Sequence, residues 1–256
     1  MASSNRPAPR TVEVVSKQAI TPNMLRVTLG GAGMADFPDN SEGGYIKLRL
    51  YPDGPDTPPV VRTYTIRNQR EGEIDVDFVL HTDNAGEHGP ATAWAMEVVQ
   101  GDTISIGGPG PAKPMPDRHD FYLVVGDMTA LPAISVNLAQ LPADAVGYGV
   151  IEVQSEEDRQ DLTVPPGFDL DFVVNPVPGT GAKAMLESVR AAAPREGELY
   201  AWVACEFDTM RNLREFLRGE LGLGREQLYI SSYWKSGIDE DNHKRVKRED
   251  AELTAA

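Results

Sequence analysis

The chain carries one cysteine, Cys205, in 256 residues. A lone thiol excludes an internal disulfide and any metal or iron–sulfur centre built from several of the chain's own cysteines. Cys205 itself reads as a small buried hydrophobe. No apolar run approaches the ~18 residues that a membrane-crossing helix needs, so no membrane insertion is expected. The first ten residues have no apolar core and do not read as a secretory signal. Basic residues are scarce: 24 Lys and Arg stand against 39 Asp and Glu, a net charge of −15. Nucleic acid is therefore not an expected partner, since phosphate neutralisation needs a basic surface. An anionic small molecule would need a local basic pocket set against the field of the whole chain. These absences together point to a cytoplasmic protein.

What is present has two textures. Short alternating runs at 12–15, 25–29, 45–50, 60–66, 74–81 and 103–106 fill the first half, punctuated by Gly and Pro. Residues 107–111, Gly-Gly-Pro-Gly-Pro, close the block. Six short strands with one helix among them predict a small antiparallel β-barrel. From Phe121 the pattern changes. Residues 121–125 are unbroken apolar, as in a strand buried on both faces. Further strands at 146–153, 170–174, 199–204 and 228–231 alternate with helical patterns. Those patterns run through Leu131, Ile134, Leu138 and Leu141, through 182–193, and through Met210, Leu213, Leu217 and Leu221. Such alternation predicts a parallel α/β sheet. The expected organisation is a barrel over 10–117, an α/β domain over 118–237, and a charged tail over 238–256, either a short helix or disordered.

The chemistry begins in the run 60–66, β-branched and aromatic and hence a strand. Side chains two apart on a strand share a face, so Arg62 and Tyr64 point the same way, about 7 Å apart. A guanidinium can hold a phosphate while a phenol one step along covers a flat ring. Thr65 adds a hydroxyl and an amide beside them. In the next strand Ile74, Val76, Phe78 and Leu80 take the buried face and Val79 and His81 the other. Gly89-Pro90 then reads as a helix start, whose first amides form an anion site. In the second half, 126–130 end a strand where ligands collect in parallel sheets. There Thr129 is an N-cap or phosphate donor, and Asp127 an acceptor from a ribose or a flavin side chain. No G-x-G-x-x-G stands at that strand end. Residues 154–159 follow the sheet's second strand, where an adenine ribose lies. Their acidic groups suit a 2′,3′-diol and favour NADH, while Ser155 and Arg159 keep NADPH open.

Five segments in order resemble the siderophore-interacting protein family, part of the ferredoxin-reductase-like flavoprotein group. They are 62–67 (Arg-Thr-Tyr-Thr-Ile-Arg), 76–81, 89–95, 126–134 and 233–237 (Tyr-Trp-Lys-Ser-Gly). The resemblance implies an N-terminal flavin-binding β-barrel and a C-terminal parallel α/β nucleotide-binding domain. FAD is the implied cofactor and NADH or NADPH the electron donor. The resemblance places Arg62, Thr63, Tyr64 and Thr65, then Val79, His81 and Thr82, then Gly89, Pro90, Ala91 and Thr92 around the FAD. It adds Asp127, Thr129 and Ala130 from the second domain, and Trp234, which either covers the ring or only packs. Tyr64, Thr65 and His81 stand nearest the chemistry. Lys47, Lys235 and Arg248 line the pocket for a ferric siderophore, with Lys244 and Arg245 adding charge; the protein itself supplies no metal site. The implied activity is FAD-dependent NAD(P)H:ferric-siderophore reduction with release of ferrous ion. Two alternatives stay open: a flavin reductase acting on a protein or free flavin, and a siderophore-binding protein without catalysis.

Overall fold

A computed structural model describes residues 8–82, 86, 88–192 and 197–255. They form two compact units, Met1–Pro114 and Met115–Ala256.

The first unit is one antiparallel sheet. Its strands are β1 (Arg10–Thr21), β2 (Met24–Gly30), β3 (Tyr45–Leu50), β4 (Val60–Thr65), β5 (Asn68–Arg70), β6 (Glu73–Val79) and β7 (Thr103–Gly110). Their spatial order is β4-β3-β7-β1-β2-β6-β5. The two edge strands, β4 and β5, are separated in sequence only by Ile66 and Arg67. A sheet whose opposite edges are joined by two residues has to curl until those edges meet, which makes it barrel-like. Alternate residues fill the inside: Val12, Val14, Val27, Leu29, Ile46, Leu48, Ile74, Val76, Phe78 and Ile106 are all buried. Helix α1 (Pro90–Glu97) packs Ala91 and Ala95 into that core.

Three details depart from the sequence reading. Strand β5 was not expected, because Asn68-Gln69-Arg70 has no apolar alternation; pairing with β6 across the turn at Gly72 defines it. Strand β7 runs past the anticipated stop to Gly110. There glycine is required, since a Cβ would fall 2.1 Å from the Tyr45 ring on the paired strand. On β6 the polar face is buried too: Asp75 and Asp77 are each 5% exposed. Arg26 grips Asp77 at 2.6 and 2.8 Å, and Arg70 grips Asp75 at 2.9 and 3.1 Å, so the paired charges let both carboxylates leave water.

The second unit is a five-stranded parallel sheet of β8 (Phe121–Asp127), β9 (Val146–Val153), β10 (Gly167–Val174), β11 (Leu199–Glu206) and β12 (Leu228–Trp234). The order β10-β9-β8-β11-β12 reverses direction at β8. A reversal of that kind opens a crevice at the carboxyl ends of the central strands, the place where α/β sheets bind ligands. Helices α2 (Leu131–Gln140), α3 (Ala182–Ala192) and α4 (Phe207–Arg214) complete the α/β alternation. Gly126 lets α2 approach closely, since a Cβ there would meet Ile134 Cδ1 at 2.6 Å.

The charged tail is a helix, α5 (Glu240–Ala255), and belongs to the second unit. Its side chains hold it: His243 Nε2 lies 2.9 Å from Ser232 Oγ, Lys247 Nζ donates to Ser231 Oγ at 2.7 Å, and Asp250 accepts both Arg214 Nη groups at 2.6 and 2.8 Å. Among the described residues no helix is long and apolar enough to cross a membrane.

Candidate functional site

Strand β4 pairs along one side only, with β3. Its register sets Arg62 opposite Leu48 and Tyr64 opposite Ile46, both buried, while Thr63 stands opposite Lys47. Arg62 and Tyr64 therefore do share a face, and it is the core-facing one. Tyr64 lies against Phe78 with ring centroids 4.4 Å apart, and Phe78 lies 5.7 Å from Trp94 of α1. Phe78, itself backed by Trp94, thus braces the phenol, and Tyr64 is half-buried. The Arg62 guanidinium donates to its neighbour Val61 O at 3.0 Å.

Helix α1 begins close by. Thr92 Oγ1 donates to Val79 O at 3.3 Å, tying the helix start to the end of β6. Gly89 is the N-cap with no side-chain cap, and Pro90 contributes no N–H, so the amides of Ala91 and Thr92 head the helix. A Cβ on Gly89 would meet nothing within 4 Å, which leaves room for a ligand there. Thr82 bridges to His88, and the His81 carbonyl lies 3.0 Å from His88 Nδ1. Thr65 ends β4, opposite Tyr45. The ring contacts of Tyr64, Phe78 and Trp94 link β4 to α1, and Thr92 links the start of α1 to Val79.

Lys47 is on the opposite face of the β3–β4 pair. Its Nζ donates to Thr63 Oγ1 at 3.1 Å and lies 5.4 Å from the Tyr45 ring centre. Lys235, in the second unit, pairs with Asp208 at 2.8 Å above the Phe207 ring. Arg248 is exposed on α5.

At the carboxyl edge of the parallel sheet the structure corrects two expectations. Asp127 is not available to a ribose or a flavin side chain, because both its oxygens are already used. Oδ1 accepts from Thr129 N and Oγ1 at 2.9 and 2.5 Å, and Oδ2 from Glu206 N and Trp234 Nε1, each at 2.8 Å. Burial pushes its pKa up despite those donors. Thr129 is not the N-cap of α2 either: Ala130 holds that position, and the Thr129 hydroxyl is spent on Asp127. Trp234 is consequently fixed by its indole N–H. Cys205 is a buried member of the core, with its thiol pKa raised well above the ordinary value by burial.

Two acids at this edge were missed in the sequence. Glu206 caps α4 through Asp208 N and Thr209 N at 2.6 and 3.1 Å and also accepts Ser236 N at 3.2 Å. Glu152 is buried at the end of β9, its pKa pushed up to about 7 by burial first and then by neighbouring Asp127. The only sequence signal for either is a charged residue at the last or next-to-last position of an apolar strand. Among the described residues no cluster of His, Cys, Asp or Glu can hold a metal ion.

Residues 119–237 match the family model for siderophore-interacting proteins, and residues 13–58 and 52–113 the model for the siderophore-interacting FAD-binding domain. The chain belongs to the siderophore-interacting protein family. The ferric vibriobactin reductase ViuB of Vibrio cholerae is 31% identical over 91% of this chain and 92% of its own. The siderophore-interacting protein SipS of Aeromonas hydrophila is 35% identical with a TM-score of 0.82, covering 97% of this chain and 99% of that one. A siderophore utilization protein from T. fusca is 27% identical with a TM-score of 0.80, over 91% and 94%. As a family member the chain is a flavoprotein oxidoreductase with FAD as its cofactor.

The first unit fits FAD on its own geometry. A braced aromatic ring, an adjacent guanidinium, a one-sided strand edge and an uncapped helix start beside open space match a flat ring carrying a pyrophosphate.

Proposed function

We propose that this protein reduces ferric siderophores with electrons from a nicotinamide dinucleotide, and that its FAD rests on Arg62 and Tyr64. The observation that carries this reading is the β4 edge, where Tyr64 stands on one face with Arg62 and is backed by Phe78 and, behind it, Trp94 of α1. Bound there, FAD would supply hydride acceptance from the dinucleotide and one-electron donation to ferric iron. The chain's own residues bind and orient. Tyr64 would stack on the ring, Thr65 would hydrogen-bond to it, and His81 and Thr82 would contact the flavin or its side chain. Arg62 and the amides of Ala91 and Thr92 neutralise the pyrophosphate.

Lys47 is the stronger of the two candidate siderophore lysines. Among the described residues it forms no ion pair, so its charge is uncompensated, whereas Lys235 is neutralised by Asp208. Arg248 adds exposed positive charge on α5. Reduced iron, a poorer ligand partner for the siderophore, is released as the ferrous ion. A reduced dinucleotide as donor and a single buried thiol suit the cytoplasm.

The test is Lys47→Gln and Lys235→Gln. In Lys47→Gln, kcat/KM for an anionic ferric siderophore falls about tenfold, the effect of ~1.4 kcal/mol of lost attraction, and turnover of a small neutral dye is retained. Lys235→Gln has the smaller effect. Equal loss with both acceptors would point instead to a reductase of another substrate.

A further inference from the structure

Residues 154–159 leave the end of β9, the second strand of the parallel sheet, as a tight turn. In doubly wound sheets the adenine ribose of a dinucleotide lies just beyond that strand end, and the groups there read the ribose 2′ position. Two residues in the turn have the chemistry to bind a 2′-phosphate, Ser155 and Arg159, and the fold has committed both. Ser155 donates its amide and its hydroxyl to Asp158 Oδ2, at 3.0 and 2.9 Å, and that carboxylate is fully buried. Arg159 is clamped by Glu156 through Nε and Nη2 at 2.6 and 2.9 Å, and its guanidinium lies 5.7 Å from the Phe172 ring centre.

Besides Gln154, which donates to Met128 Sδ at 3.8 Å, the remaining side chains of the turn are acids. Glu156 and Glu157 are exposed and face solvent. A 2′-phosphate arriving here would have to pull Arg159 from Glu156. It would then sit beside two carboxylates, one newly unpaired, within a chain of net charge −15. The exposed Arg159–Glu156 pair is itself weak. Discrimination therefore comes from summed charge, which does not change when the pair opens. A 2′,3′-diol meets no such penalty, and its hydroxyls can donate to the same carboxylates.

We propose that the turn 154–159 selects NADH over NADPH, with Glu156 and Glu157 as the specificity-determining residues. This rests on the dinucleotide reading of the preceding subsection and names which dinucleotide it is. Selection is tested in two ways on the purified FAD-loaded protein. Anaerobic mixing measures the rate at which each dinucleotide bleaches the flavin, and calorimetry compares 5′-AMP with 2′,5′-ADP. The wild type is expected to favour NADH by at least roughly tenfold and to bind 5′-AMP more tightly than 2′,5′-ADP. In the double variant Glu156→Gln/Glu157→Gln both ratios move toward unity, through improved NADPH and 2′,5′-ADP terms. Both residues are exposed, so the variant keeps its fold, which circular dichroism verifies. A wild-type preference for NADPH, or ratios unmoved in the variant, overturns the assignment while leaving the reductase reading intact. If neither dinucleotide bleaches the flavin and neither nucleotide binds, the donor reading and this inference fall together.

Discussion

Glu152 shows how much one buried side chain can set. Burial and the nearby Asp127 carboxylate raise its folded pKa from 4.5 to about 7. Between those values the folded chain holds the proton more tightly than the unfolded one. Stability from this group is therefore full below about pH 4.5, falls as pH rises through the window, and is lost above about 7. Glu152→Gln, neutral throughout, is expected to match the wild type near pH 5 and exceed it by ~1–3 kcal/mol at pH 8. Denaturant midpoints at the two pH values check this, and a gap that does not widen with pH contradicts it. Residue-level chemistry was legible in the sequence where a local rule governs it. Strand periodicity alone places Arg62 and Tyr64 on one face. It does not show that the face is the inner one, because that depends on the pairing of Tyr64 with Ile46. Asp127 misled for a similar reason: a carboxylate at a strand end looks available until Trp234, 107 residues away, donates to it.

At the scale of elements, α5 is the instructive case. Its sequence is almost wholly charged and polar, so apolar periodicity is nearly silent, and composition alone left helix and disorder equally open. Side-chain bonds to β12 and α4 fix it in place. Among them is the ion pair of Asp250 with Arg214, whose side chains are 13% and 15% exposed. Asp250→Ala strands that guanidinium and is expected to cost ~1–3 kcal/mol of docking. Amide exchange in α5 then rises about tenfold or more, while the strands of the first unit keep their protection. Unchanged exchange in α5 contradicts this account of how it is held. Strand β5 escaped the sequence for a related reason, being three polar residues defined wholly by their partner strand.

At the scale of the whole molecule the sequence was most informative. The switch from alternating to continuous apolar runs at Phe121 marks the change from antiparallel to parallel sheet. Periods of two and of about 3.6 residues are properties of the chain itself, which is why they survive without structural information. The functional reading also belongs to this scale. Its most direct test is the visible absorption spectrum of the purified protein during a sequence of additions. We expect flavin bands in the protein supplied with FAD, bleaching on addition of NADH, and recovery when a ferric siderophore is added, with ferrous ion trapped by a ferrous-specific chelator. Arg62→Ala and Tyr64→Ala each lose bound flavin in the same measurement. A protein that takes up no FAD, or whose bleached bands are not restored by any ferric siderophore, contradicts the account.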